Sequence, residues 1–373
     1  MVVAGEASGD LHGAALCRAL IDLAPDVRLR GMGGPRMAAE GLDVLADVTG
    51  AAAIGTNEVL GRLPAIVKAW RRLRKALRRE RPAGLVLIDF PEFNLRLARA
   101  ARAAGVPVVY FVPPQIWAWR SWRIHAIRRR VDLVLAVFPF EAAMYRRAGV
   151  PVEFVGHPVL DAIVAAPSRA HAREQLGLAP NALVVGLLPG SRYHEIETMA
   201  PTMAAAAQRI AARHPHAGFV AALAPTVDAQ DVGRHLAGGP HVRLVTDRTH
   251  AVMRAADLLL VTSGTATLEA ALLGTPMVVA YRVSRLTALM GRLAARVPWI
   301  SLVNITLGRA VVPELWRDVT PQALADAALR LLESPPALHA QREAFAELVT
   351  ALGEPGVARR AARLVLDVAG LPA

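Results

Sequence analysis

The stretch Leu258-Leu259-Leu260-Val261-Thr262-Ser263-Gly264-Thr265-Ala266-Thr267-Leu268-Glu269 constrains the fold more than any other part of the chain. An unbroken apolar run closed by turn residues suits a strand covered on both faces, as in a parallel sheet. Ala270 to Leu273 favours helix, Gly274 supplies its stop, and Thr275-Pro276 leads into a second apolar run, Met277 to Tyr281. Together these predict one βαβ unit. Further runs of the same kind at Gly84–Ile88, Val108–Val112, Leu133–Val137 and Leu183–Leu188 predict an α/β chain built on parallel sheets.

The loop of the first unit carries chemistry as well as a turn. Free backbone N–H groups at a helix start, with the Ser263 and Thr265 hydroxyls beside them, suit a phosphate or diphosphate. If Thr265 is the N-cap, Glu269 lies one position too late for a capping box, which would want its carboxylate at Leu268. A carboxylate there can accept hydrogen bonds from ribose hydroxyls of a nucleotide whose phosphates rest on the loop; it is equally readable as a helix-surface glutamate.

At 373 residues the chain exceeds one typical core, so two domains are expected. A hydrophobic content of 54% excludes a disordered chain. Cys17, the one cysteine, lies in an apolar helical pattern and reads as a buried thiol; no internal disulfide or cysteine-based zinc site is open to the chain, which fits a reducing cytoplasm. No apolar run is long enough to span a bilayer without a Gly, Pro or charge, and no signal-peptide layout opens the sequence, so a soluble or peripheral protein is expected. The formal charge of +12 asks for an acidic partner: nucleic acid, an anionic lipid surface or a phosphorylated substrate.

Met1 to Ala4 read as the tail of a first strand, short of the usual length of about five or six residues, so that the given start reads as clipped or misassigned. Gly5-Glu6-Ala7-Ser8-Gly9-Asp10 then leads into a helix expected from about Leu11 to Leu23, with Ser8 or Asp10 as its cap. Two carboxylates at this turn oppose a phosphate there, and Glu6 is the better candidate for binding sugar hydroxyls or accepting a proton, beside a plain scaffolding role. Over 63–81 a helical apolar stripe that includes Trp70 alternates with Lys68, Arg71, Arg72, Arg74, Lys75, Arg78, Arg79 and Arg81. A basic amphipathic helix of this kind fits an anionic membrane surface, while the stripe alone is accounted for equally well by packing on a sheet.

Asp89 stands at the carboxyl end of the Gly84–Ile88 strand, where open parallel sheets place ligands and catalytic groups, and it reads alternatively as a helix cap or turn former. The next strand runs into Pro113-Pro114-Gln115-Ile116-Trp117-Ala118-Trp119-Arg120-Ser121-Trp122-Arg123. Its tryptophans among arginines suit base stacking, a sugar or acyl chain, or a cleft wall, and composition does not choose. In the second half Pro189-Gly190-Ser191-Arg192 follows a strand, and Arg192 is placed to make charge-assisted contacts to a diphosphate held by the Ser263–Ala266 loop. No Asp-x-Asp occurs, and His194, His214 and His216 lack metal-ligand spacing, so neither a metal nor a cofactor is expected.

Taken together, Gly5–Asp10, Ile88–Asn94, Pro114–Arg120, Leu188–Arg192 and Ser263–Glu269, with Gly55–Leu60 and Val279–Arg282, resemble the lipid-A-disaccharide synthase family over nearly the whole chain. The resemblance implies a GT-B fold, two Rossmann-like doubly wound domains facing across a cleft. Its expected divisions are an acceptor and membrane-facing domain over 1–165, a UDP-sugar domain over 166–345, and a C-terminal helix over 346–373 that packs back onto an N-terminal domain, its own or a partner's in a homodimer. The implied reaction is inverting transfer of 2,3-diacylglucosamine from its UDP derivative to 2,3-diacylglucosamine 1-phosphate, at the cytoplasmic face of the inner membrane.

By motif, Asp89 and Glu6 become catalytic candidates, and Gly190, Ser191, Arg192, Ser263, Gly264, Thr265, Ala266, Glu269 and Asn304 ligands of the UDP-sugar. Trp70, Arg71, Arg72, Trp117, Trp119, Arg120 and Trp122 become candidates for the acceptor and membrane side. Around Asn304 the sequence Leu302-Val303-Asn304-Ile305-Thr306-Leu307-Gly308-Arg309 departs from the family's Leu-Pro-Asn-Leu-Leu-Ala-Gly-Arg. Two rival readings are a UDP-amino-sugar epimerase, which needs no acyl surface, and a non-catalytic nucleic-acid binder, which would leave both diphosphate-type turns idle.

Overall fold

The computed structural model describes residues 1–48, 59–118, 120–224, 227–282 and 298–372. The chain divides into two compact units, one of Met1–Asp161 with Leu352–Ala373 and one of Ala162–Ala351.

In the first unit β1 (Val2–Ala4), β2 (Arg30–Met32), β3 (Asp43–Ala46), β4 (Leu85–Ile88), β5 (Val108–Phe111), β6 (Leu133–Ala136) and β7 (Val152–Phe154) make a seven-stranded sheet. Their order is β3-β2-β1-β4-β5-β6-β7, every pair is parallel, and β4 and β5 are buried along their whole length. Helices α1 (Ala7–Leu23), α2 (Pro35–Ala39), α3 (Val59–Glu80), α4 (Pro91–Ala103), α5 (Ile124–Arg130), α6 (Pro139–Arg147) and α7 (Val159–Ile163) follow the strands. The helix expected from Leu11 begins at Ala7, because Asp10 does not cap it. Its carboxylate instead accepts from the backbone N–H groups of Gly34 (2.7 Å), Arg36 (3.1 Å) and Met37 (3.1 Å), and so caps α2.

The second unit repeats the plan. Strands β8 (Val184–Leu188), β9 (Gly218–Leu223), β10 (Val242–Thr246), β11 (Leu258–Thr262), β12 (Met277–Ala280) and β13 (Glu314–Leu315) form a six-stranded parallel sheet in the order β10-β9-β8-β11-β12-β13. It carries α8 (Arg169–Gln175), α9 (Tyr193–Arg213), α10 (Ala229–Leu236), α11 (Thr249–Ala255), α12 (Thr265–Leu272), α13 (Leu302–Leu307), α14 (Pro321–Leu332) and α15 (Pro335–Leu352).

The division near 346 is displaced to Leu352, because α15 runs without a break to that residue. The last helix, α16 (Val357–Ala369), then packs on α1 of the same chain. Asp161 caps it, accepting from the backbone N–H groups of Gly356 (2.6 Å), Val357 (3.2 Å) and Ala358 (3.0 Å).

Each sheet reverses its strand order once, between β1 and β4 in the first unit and between β8 and β11 in the second. In open α/β sheets the crevice outside the carboxyl ends of the strands at such a reversal is where ligands bind. Glu6 and Asp89 lie at the first of these places, and Arg192 and the Ser263–Ala266 turn at the second.

Candidate active site

In the first unit the register pairs Ala4 with Ile88 and Ile88 with Phe111, so Gly5, Asp89 and Val112 leave the sheet side by side. Glu6, half-buried, is the N-cap residue of α1, and the helix begins one residue beyond it. Gly5 has to be glycine because a Cβ there would lie 2.3 Å from the Phe90 ring.

Backbone strain gathers at this edge. Asp89 (φ 48°), Phe90 (φ 44°), Val112 (φ 53°) and Arg120 (φ 54°) are all left-handed, a conformation that is a true outlier for bulky or β-branched residues. Such residues cost about 1–3 kcal/mol each and persist only where surrounding contacts over-determine them.

The Trp-rich segment after β5 is anchored from below. Trp117 Nε1 donates to Glu141 Oε1 at 2.7 Å, and its ring meets Phe140 edge-on at 5.2 Å. Glu141 is only 1% exposed, and its Oε2 has no side-chain or backbone hydrogen-bond partner of standard geometry among the described residues. Burial pushes its pKa up to about 8, outweighing the Trp117 hydrogen bond, which pulls it down. Glu92 at the start of α4 accepts from Arg120 at 2.5 Å and also from the buried Arg123. Trp122 is 65% exposed, with the Arg123 guanidinium 5.9 Å from its ring centroid. Trp119 and residues 55–58 lie outside the described residues.

Along α3 the apolar stripe goes inward: Ala69, Leu73, Ala76 and Leu77 are buried. Trp70 packs edge-on against Phe93 at 5.9 Å. That leaves the outer face to Arg71, Arg74, Lys75, Arg78 and Arg79, all exposed, while Arg72 donates to the Leu45 carbonyl at 3.1 Å.

In the second unit Leu188 pairs with Val261, so the Pro189–Arg192 turn and the Thr262–Thr265 turn emerge as neighbours. The first turn differs from the sequence expectation in one respect. Glu195, 8% exposed, reaches back to accept from the N–H groups of Ser191 (3.1 Å) and Arg192 (3.3 Å). Its carboxylate occupies those backbone donors, so Gly190 and Ser191 shape the turn and only the Arg192 side chain projects a charge. That side chain is 56% exposed and pairs with Glu195 at 3.2 Å. Gly190 (φ 124°) leaves room for this carboxylate, which a Cβ would meet at 2.6 Å.

At the second turn the N-cap is Gly264 rather than Thr265, with no side-chain cap. Thr267 closes the turn by donating its N–H (3.1 Å) and hydroxyl (2.8 Å) to the Gly264 carbonyl, which leaves the N–H groups of Thr265 and Ala266 without partners among the described residues. Ser263 Oγ donates to the Ile300 carbonyl at 2.7 Å.

Glu269, one turn further on, meets His250 Nε2 of α11 at 3.1 Å. His250 passed unnoticed in the sequence, where it lies 19 residues away with no motif around it. Tyr281, just past β12 and inside the Val279–Arg282 segment, was given no role by the sequence: its pKa is raised by burial and by the Glu195 carboxylate, with Arg192 opposing.

Asn304 does not offer a free amide. It is 1% exposed, donates to the Val312 carbonyl (2.9 Å) and to Glu314 (2.8 Å), and accepts from the N–H groups of Val311 (2.7 Å) and Val312 (2.9 Å). Both ends of its amide are engaged, so the side chain works as a strut of the loop that Ser263 touches. Among the described residues, no cluster of His, Cys, Asp and Glu is placed to hold a metal ion, and no helix is long and apolar enough to cross a membrane.

Known proteins place these two sites in context. The lipid-A-disaccharide synthetase family model matches residues 1–368. The chain belongs to that family. It is, accordingly, an enzyme of the sugar-transferring class.

The chain is 43% identical to the lipid-A-disaccharide synthase of Myxococcus xanthus, over 99% of its own length and 97% of that protein's. It is 42% identical, with the same coverage, to the synthase of Geobacter sulfurreducens. Among solved structures it is similar in fold to UDP-GlcNAc 2-epimerase from Neisseria meningitidis bound to UDP-GlcNAc, with a TM-score of 0.66 at 12% identity, covering 96% of this chain and 97% of that one. It is also similar to CalG4, the calicheamicin glycosyltransferase, with a TM-score of 0.59 at 14% identity, covering 98% of each chain. These likenesses establish the two-unit α/β fold of the GT-B class, which members of the family share with epimerases.

Proposed function

We propose that the chain joins UDP-2,3-diacylglucosamine to 2,3-diacylglucosamine 1-phosphate, with inversion, giving the β-1,6-linked lipid A disaccharide 1-phosphate and UDP. The observation that carries the reading is Asp89, held on a strained backbone at the strand-order reversal of the first sheet. A family of sugar transferases supplies the reaction to which that carboxylate is fitted.

In this mechanism Asp89 takes the proton from the acceptor's 6-hydroxyl as that oxygen attacks the donor's anomeric carbon. The bond from that carbon to the diphosphate oxygen breaks, and UDP departs with the electron pair. General-base help of this kind is worth about 10²–10⁴ in rate. Arg192 and the Thr265 and Ala266 N–H groups stabilise charge growing on the diphosphate, and Glu269, oriented by His250, receives the ribose hydroxyls. Glu6 is the second carboxylate at the same edge and the alternative base.

The exposed basic face of α3 and the exposed Trp122 suit a protein resting on anionic lipid at the cytoplasmic face of the inner membrane, where acylated substrates reside. Each basic residue near such a surface adds about 1 kcal/mol. Reversing Arg71, Arg74, Lys75 and Arg78 to glutamate is expected to release the protein from vesicles containing anionic lipid; undiminished binding contradicts the membrane role.

The reaction itself is tested by incubating the protein with both substrates in detergent and looking for disaccharide. A UDP-sugar converted without the acceptor, and no disaccharide formed, would turn the reading toward an epimerase.

A further inference from the structure

The left-handed pair Asp89-Phe90 turns the Asp89 carbonyl toward the protein interior, and two fully buried side chains are waiting for it. Asn94 Nδ2 donates to that oxygen at 2.7 Å and to the Ile88 carbonyl at 3.0 Å. Tyr110, reaching across from β5, donates its hydroxyl to the same Asp89 oxygen at 2.7 Å. Both side chains are 0% exposed, so neither is within reach of a bound substrate. Asn94 also closes the start of α4, donating its own N–H to the Phe90 carbonyl at 3.0 Å.

A carbonyl turned into the core needs donors, because an unmet buried acceptor is costly. Here two donors converge on one oxygen, at the residue whose carboxylate the reaction uses. The Phe90 ring of the pair lies against Gly5, filling the space a Cβ there would take.

We propose that Asn94 and Tyr110 are positioning residues that lock Asp89-Phe90 in the left-handed conformation and thereby aim the Asp89 carboxylate at the acceptor hydroxyl. This rests on reading Asp89 as the proton acceptor. Burial raises the Tyr110 pKa well above that of an ordinary tyrosine, so its hydroxyl keeps the proton it donates across the working pH range. Removing one donor leaves the carbonyl held by the other, so partial rather than complete loss is expected from each single change.

The test measures disaccharide formation by the full-length chain and its Tyr110→Phe, Asn94→Ala, Asp89→Asn, Phe90→Gly and Phe90→Gly/Tyr110→Phe variants, with thermal unfolding confirming that each is folded. Tyr110→Phe, which removes one hydrogen bond, is expected to lower kcat by roughly three- to tenfold, and Asn94→Ala, which also frees the Ile88 carbonyl, by at least as much, with both KM values little changed. Glycine at position 90 adopts the left-handed backbone without steric cost. The kcat loss on Tyr110→Phe should therefore shrink to about twofold or less in the Phe90→Gly background, a coupling that general support of the fold would not produce.

Full-rate Tyr110→Phe and Asn94→Ala variants, alongside an inactive Asp89→Asn, would overturn the lock while leaving Asp89 as the base. An equal loss in both backgrounds would overturn positioning in favour of a structural role. A near-parental Asp89→Asn would remove the reading of Asp89 and the lock with it.

Discussion

The two strand-order reversals share a topology and are furnished in opposite ways. At the first, the loops carry carboxylates, Glu6 on extended backbone and Asp89 on backbone forced into a left-handed conformation and held from beneath by buried polar side chains. At the second, the loops carry small residues, N–H groups without partners among the described residues and the Arg192 cation, and among the described residues of these two turns the left-handed region is entered only at glycine. On the proposed function, the contrast follows from what each has to bind. A diphosphate is met by donors and positive charge, which backbone and arginine supply without special geometry. A proton has to be taken along one line, which demands a side chain aimed more narrowly than a relaxed turn would aim it.

If that division is right, changes at the two reversals should separate cleanly. The largest effect is expected from Asp89→Asn, a loss of about 10²–10⁴ in kcat for disaccharide formation. A Glu6→Gln variant with the same loss and a near-normal Asp89→Asn would exchange the two carboxylates without moving the site. Arg192→Ala is expected to raise the UDP Kd by roughly tenfold or more, the worth of a charge-assisted contact, as measured by calorimetric titration.

The smallest effect concerns pH. Glu141 has a folded pKa raised to about 8 against an ordinary value of 4.5, so the native chain holds a proton that the unfolded chain releases between those values. Its contribution to stability is full below about pH 4.5 and is lost as pH rises through about 8. Glu141→Gln should consequently raise the thermal midpoint at pH 8 by about 2–4 °C or more relative to its effect at pH 5, since ~1 kcal/mol shifts domains of this size by that amount. An equal shift at both pH values would mean that Glu141 titrates normally beneath Trp117.

Much of this was legible in the sequence because it depends on local pattern. Buried strands such as Leu85–Ile88 and Leu258–Thr262 are short all-apolar runs, and Asp89 and the Ser263–Ala266 turn announce themselves by following them. What stayed hidden depends on partners distant in the chain. Asp10 looked like a cap for its own helix and caps another, 24 to 27 residues on. Glu195, with no motif of its own, fills the turn before its helix and takes the Ser191 and Arg192 N–H groups as donors. Asn304 sits in a family motif, yet its amide turns inward to Val311, Val312 and Glu314. The strain at Asp89-Phe90 leaves no compositional mark, since neither residue is a glycine and the donors that hold it come from Asn94 and Tyr110.

The division of labour between the two reversals is tested most directly by titrating UDP into the Asp89→Asn variant, beside the parent chain and Arg192→Ala. The account predicts that Asp89→Asn binds UDP as the parent does while forming no disaccharide, and that Arg192→Ala binds it weakly. An Asp89→Asn variant that loses UDP affinity as far as Arg192→Ala does would contradict it.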